Sequence, residues 1–146
     1  MALCLGLAGC PSKATPPTPS PAPEQTATSS TATSKLVVEP APGGAGFWLP
    51  LHWDNLMKHD FEKLEAAGFY PNGPAWLGVI EFLASRPPAI TGLDYDDSSD
   101  SVSVYAAQAA PLRALRDRIE RARSTPATLE ATFRAAKAAG FAPGDL

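Results

Sequence analysis

The chain has only two cysteines among its 146 residues, Cys4 and Cys10. Everything beyond residue 10 must therefore hold its shape without a disulfide or a thiolate metal cage. Histidine is as scarce, with His52 and His59 alone. G-x-S-x-G, H-E-x-x-H and paired-cysteine motifs are missing, which removes the sequence signs of common hydrolase and zinc sites. Excess basic charge is missing too. The net charge is −3 and the pI about 5.3, and nucleic-acid binding, which needs a basic face, is not expected. No apolar run approaches the about 20 residues of a membrane-spanning helix. Aromatic residues are absent before Phe47.

What is present is unevenly spread. Residues 11–34 are Pro, Thr, Ser and Ala, apart from Lys13, Glu24 and Gln25. Such a segment buries too little to offset its ordering entropy and reads as a disordered, partly polyproline II tether. Ahead of it, Leu7-Ala8-Gly9-Cys10 resembles a bacterial lipobox, with an aliphatic residue, two small ones and the cysteine that takes the lipid. The basic region that opens a secretory signal does not precede it, which fits a start upstream of Met1. The expected organisation is a signal peptide over 1–9, a tether over 10–45 and a globular domain over 46–146. A lipid on Cys10 would hold the domain in the cell envelope. Pro11 in place of Asp points to the outer membrane in a Gram-negative cell, by the sorting rule the lipoprotein resemblance implies. A random-coil tether of roughly 35 residues reaches on the order of 30 Å, and a polyproline II one about 100 Å.

The domain is organised around Gly68-Phe69-Tyr70-Pro71-Asn72-Gly73-Pro74-Ala75-Trp76. Gly68 is placed to end one helix and Pro74 to begin another. Pro71-Asn72-Gly73 between them is turn chemistry, since Asn and Gly tolerate positive φ. Before the corner, Phe47-Trp48-Leu49-Pro50-Leu51-His52-Trp53 alternates as a strand, with Phe47, Leu49, Leu51 and Trp53 on one face. Pro50 marks it as an edge or a bulge. A further strand is possible over 35–39. Asp54 is the expected cap of the first helix, with Phe61 and Leu64 inward. After the corner, a helix over 74–85 has a wide apolar face of Trp76, Leu77, Val79, Ile80 and Leu83 and stops at Pro87-Pro88. Residues 89–106 read as a hairpin turning at 97–100. Two more helices follow. One has Leu112, Leu115 and Ile119 inward and Arg113, Arg116, Asp117, Glu120, Arg121 and Arg123 outward. The other runs from Ser124 or Thr125 to Gly140 with Leu129, Phe133 and Ala136 inward. The fold class is α+β, a small antiparallel sheet with helices packed on one face.

Candidate chemistry is sparse. Asp94-Tyr95-Asp96-Asp97-Ser98-Ser99-Asp100 opens like a calcium loop, but Ser99 and Tyr105 stand where that loop needs Gly and Glu. A solvated turn, or an acidic patch facing a basic partner, accounts for it better, and no metal or cofactor is expected. His52 has Asp54 close in sequence and His59 has Asp60, the bare minimum for an acid–base pair. The arginine-rich helix reads as a solvated face with i, i+4 pairs.

At the corner and hairpin together the chain resembles the immunity-protein family Imm51 of bacterial polymorphic toxin systems. The residues that carry this are Phe47-Trp48-Leu49-Pro50-Leu51, Gly68-Phe69 leading into Asn72-Gly73 and Trp76, Tyr95-Asp96 with the turn and Val102, and a helix opening near Leu112. Pro71, Pro74, Ala75 and Ser98 depart from the family pattern. The resemblance implies a non-enzymatic protein that binds a cognate toxin and blocks it. The contact residues it suggests are Asp96, Asp97 and Asp100, with Tyr70, Asn72 and Trp76 as a second patch. A scaffold lipoprotein of the envelope, or an enzyme using His52 or His59, are the alternatives.

Overall fold

The computed structural model describes residues 35–141. Cys10, the lipobox and residues 11–34 lie outside the described residues. The elements are β1 (Glu39–Pro40), β2 (Phe47–His52), a π-helical turn (Trp53–Met57), α1 (Lys58–Ala66), α2 (Gly73–Ser85), β3 (Asp94–Asp97), β4 (Ser101–Ala106), α3 (Ala109–Ala122) and α4 (Pro126–Ala138). The strands form an antiparallel sheet in the order β1-β2-β4-β3, which is an α+β architecture.

Pleating decides the two faces of the sheet. Leu49 and Leu51 of β2 and Val102 and Val104 of β4 pair directly across the strands and are fully buried under the helices. Trp48, Pro50, Ser103 and Tyr105 lie on the other face and stay partly exposed. Trp48 and Tyr105, opposite one another, stack with ring centroids 6.2 Å apart. Pro50 is tolerated because β1 covers only Phe47 and Trp48, so at Pro50 the strand is an edge on that side.

Each helix is pinned by local chemistry. Gly68 takes φ +84 after α1; its N–H donates to the Glu65 carbonyl (2.9 Å) and the Phe69 N–H to that of Leu64 (2.9 Å), a Schellman ending. Thr125 caps α4 by accepting from the Thr128 N–H (3.1 Å), with Pro126 in the first turn. Leu112, Leu115 and Ile119 of α3 and Leu129, Phe133 and Ala136 of α4 are buried as their spacing requires.

Five expectations are corrected. The domain starts earlier than residue 46: Leu36 is buried in the core, and its N–H donates to Glu120 Oε1 on α3 (3.1 Å). Trp53 leaves the strand for the π-helical turn and is exposed. The N-cap there is His52 rather than Asp54, and its N–H is held by Asn55, whose amide can both accept and donate. Asn55 Oδ1 accepts from the His52 N–H (2.8 Å) while Nδ2 donates to the Pro50 carbonyl (3.1 Å). Arg123 is not on the solvated face of α3; past the helix end its side chain turns inward, 2% exposed, and its Nε donates to Asp60 Oδ2 (2.6 Å). β3 is also shorter than the strand expected over 89–96, since Ile90 closes the end of α2 by donating its N–H to the Ala84 carbonyl (2.9 Å).

Candidate interaction surface

The corner and the hairpin, far apart in sequence, are docked backbone to backbone. Asn72 is extended, with φ −85, and caps α2 by accepting from the Ala75 N–H (2.9 Å), so it is a helix cap rather than a positive-φ turn residue. Gly73 begins the helix, and its N–H donates to the Ser99 carbonyl (3.0 Å). Glycine is required here by space: a Cβ would collide with the Ser98 carbonyl oxygen and lie 2.8 Å from that of Ser101. The third joint is the Trp53 N–H, which donates to the Asp100 carbonyl (3.0 Å). Three chain segments thus meet at residues 98–100.

The turn is ordered by its own hydroxyls. Ser98 Oγ donates to Asp100 Oδ1 (3.0 Å) and lies 2.7 Å from Ser101 Oγ. Because the single Ser98 proton is committed to the carboxylate, Ser101 donates in the second bond. Asp100 is held at the tip, exposed, with its backbone fastened to Trp53.

Beside the turn runs a row of rings. Trp53 packs on Phe61 with centroids 5.3 Å apart, and Phe61 meets Tyr70 edge-on at 5.7 Å. Trp53 is 38% exposed and Tyr70 42%, while Phe61 between them is half-buried. Exposed tryptophan, phenylalanine and tyrosine are enriched at protein interfaces relative to the rest of the surface.

The residues singled out from sequence are distributed by the fold. Asp100, Tyr70 and Asn72 belong to this joint. Asp96 pairs with Ser103 and therefore sits on the open face of the sheet, with Asp94, Trp48 and Tyr105. Asp97 pairs with Val102, so its side chain starts from the opposite, helix-covered face. The acidic run is one cluster in sequence and two in space. Tyr95, which pairs with Val104 on the helix-covered face, is partly buried, and that burial, with the Glu81 carboxylate adding to it, raises its phenol above the ordinary value. Trp76 is a correction: it is fully buried, edge-on against Phe133 at 5.1 Å, and offers no surface to a partner. Sequence reading passed over Trp53 and Phe61 as contact residues; the signal available was that Trp53 closes a strand next to a helix whose apolar residues include Phe61.

Neither histidine acquires an acid partner among the described residues. His52 is exposed; its ring stands edge-on to that of Trp48, 6.4 Å away, and its backbone N–H is held by Asn55. Asp60, next to His59, is taken by Arg123 and Lys63. No group of three or more His, Cys, Asp or Glu among the described residues stands together as a metal site. No helix among them is long and apolar enough to cross a membrane. No family model matches the chain, and comparisons with curated proteins and with solved structures find no match.

Proposed function

We propose that the protein is a lipid-anchored binding protein whose domain recognises and neutralises a basic protein toxin. The reading takes its partner class from the likeness to Imm51 immunity proteins. The observation that carries it is the convergence of the Asn72-Gly73 corner, the Asp100 turn and the Trp53–Phe61–Tyr70 rings on one exposed surface. Rigid exposed aromatics contribute affinity at small entropic cost, and the neighbouring carboxylates steer a cationic partner. The tether would let the domain capture that partner within the envelope while Cys10 stays in the membrane.

The test is to express the toxin candidate encoded next to this gene, in the compartment where it acts, with wild-type protein or its variants. Replacing Asp96, Asp97 and Asp100 by Asn should slow association about tenfold at low salt, with added salt reproducing the effect. Trp53→Ala with Tyr70→Ala should instead speed dissociation, by about 2 kcal/mol or more in affinity if the pair is a hot spot. No protection by wild-type protein overturns the immunity reading, and retention of an envelope component instead favours the scaffold.

The anchor has its own test. With a labelled fatty acid in the medium, wild-type protein should become labelled and sediment with membranes, while Cys10→Ser should do neither. Equal labelling of the two, or an unlabelled wild type, removes the lipoprotein reading.

A further inference from the structure

The part of the chain that carries α3 and α4 is charged oppositely to the part before it. Residues 39–100 hold ten carboxylates against three cations; residues 101–141 hold three carboxylates against seven cations. Those three carboxylates are all engaged away from the cleft described next. Asp117 pairs with Arg116 (2.7 Å), Glu130 with Arg134 (2.8 Å), and Glu120 accepts from the Leu36 N–H.

An open cleft of about 320 Å³ lies between the end of α2, the C-terminal half of α3 and the start of α4. Arg86, Arg118 and Arg121 line it, its apolar floor is Leu83, Pro87 and Ala122, and no carboxylate is among its lining residues. Arg118 is fixed: its guanidinium donates to the carbonyls of Leu83 (2.6 Å), Arg86 (2.9 Å) and Pro88 (2.6 Å). It thereby caps the Leu83 carbonyl in the last turn of α2 and ties down the segment that follows the helix. Its partners are all neutral, so its charge is not cancelled. The Arg86 side chain is exposed and, among the described residues, lies over the Phe82 ring at 5.5 Å with no ion pair. The Arg121 side chain is exposed and has no hydrogen bond or ion pair among the described residues. A concave site with low-dielectric walls and uncancelled cations focuses positive potential.

The cleft also has a direction. From Leu83 and Arg86 it continues into a second hollow of about 290 Å³ between α2 and α4, over Phe82, Ala131 and Ala135. Arg118 and Arg121 line the first hollow, Arg86 stands where the two meet, and the second continues over Phe82, Ala131 and Ala135. We infer that this cleft binds a phosphate-headed amphiphile. The phosphate would lie between the Arg86 and Arg121 guanidinia, and the alkyl part along Leu83 and Ala131. Phosphate is preferred to carboxylate because one bidentate guanidinium already engages both carboxylate oxygens, whereas a phosphate monoester offers three terminal oxygens and a larger charge to two forks. This inference is independent of the toxin reading.

The test uses the full chain with Cys10→Ser and four probes: hexyl phosphate, inorganic phosphate, hexanol, and vesicles of phosphatidylglycerol or of phosphatidylcholine. Hexyl phosphate should bind at least tenfold more tightly than either inorganic phosphate or hexanol, and should move the amide resonances of Leu83, Ala122 and Thr132. Arg86→Gln with Arg121→Gln should weaken it at least tenfold at unchanged melting temperature, since both side chains are exposed. Arg113→Gln, a cation of α3 outside the cleft, should leave it unchanged. Flotation with phosphatidylglycerol vesicles but not phosphatidylcholine, lost in the double variant, would identify a bilayer lipid as the source; hexyl phosphate binding without flotation would identify a soluble phosphate ester. Equal affinity for hexyl and inorganic phosphate, or equal losses in the Arg113 and double variants, would overturn the inference, because either means diffuse charge and no site.

Discussion

Trp76→Ala should cost about 4 kcal/mol of folding stability, the middle of the range for truncating a buried tryptophan. Trp76 is 0% exposed and packs edge-on against Phe133, which in turn touches Phe69, so the ring joins α2 to α4 and to the corner. In a domain of about 100 residues each kcal/mol moves the melting temperature by about 4–8 °C, so the variant should melt roughly 20 °C lower. Trp76→Phe separates packing from polarity. The indole Nε1 is buried without a hydrogen-bond partner, so the larger ring carries an orphaned donor. Phenylalanine removes that donor while leaving a smaller void, and its net cost should be about 1 kcal/mol. Urea unfolding of the two variants measures both. If Trp76→Ala unfolded like wild type but lost partner binding, tryptophan would be a contact residue and the core assignment wrong.

The second large effect is at Gly73. Gly73→Ala places a methyl group against the Ser98 carbonyl oxygen, and a backbone atom cannot swing aside as a side chain can. Relief requires the hairpin turn to withdraw, which breaks the Gly73–Ser99 hydrogen bond and loosens the Asp100–Trp53 one. Overpacking of this kind costs about 1–3 kcal/mol, and the lost hydrogen bond adds about 1 kcal/mol, so a loss near 3 kcal/mol is expected. Gly68→Ala is the comparison. Gly68 has φ +84 but nothing near its missing Cβ, so only backbone strain of about 1–2 kcal/mol applies. Hydrogen exchange should show the Gly73 variant opening at residues 98–101, and the Gly68 variant should leave those amides protected. Similar exchange in both would mean that the corner and turn are not mechanically joined.

These two residues also show why sequence reading reached part of the surface and stopped. Asn72-Gly73 stood out as turn chemistry, yet neither residue has the positive φ that makes such turns. Their function is to cap α2 and to admit the hairpin, and the second depends on residues 98–101. Asp96, Asp97 and Asp100 stood out as one acidic run, but strand alternation sends Asp96 and Asp97 to different faces, which becomes definite only with the register to Ser103 and Val102.

The sequence by itself determined the class of fold, the ends of most helices and the two-residue rhythm of β2 and β4. Those features rest on interactions within about four residues: Thr125 accepting from Thr128, Gly68 closing α1, Leu112, Leu115 and Ile119 sharing a helix face. Only the tertiary structure decided that Leu36 belongs to the core, that Arg123 is buried on Asp60, that Arg118 caps α2, and that corner, turn and rings form one surface. The hydrogen bonds among these contacts join residues 26 or more positions apart. An arginine on a solvated face and one turned inward have the same local pattern. What separates them is the desolvation and pairing available where the chain brings a distant carboxylate or carbonyl, and that is a property of the packed molecule alone.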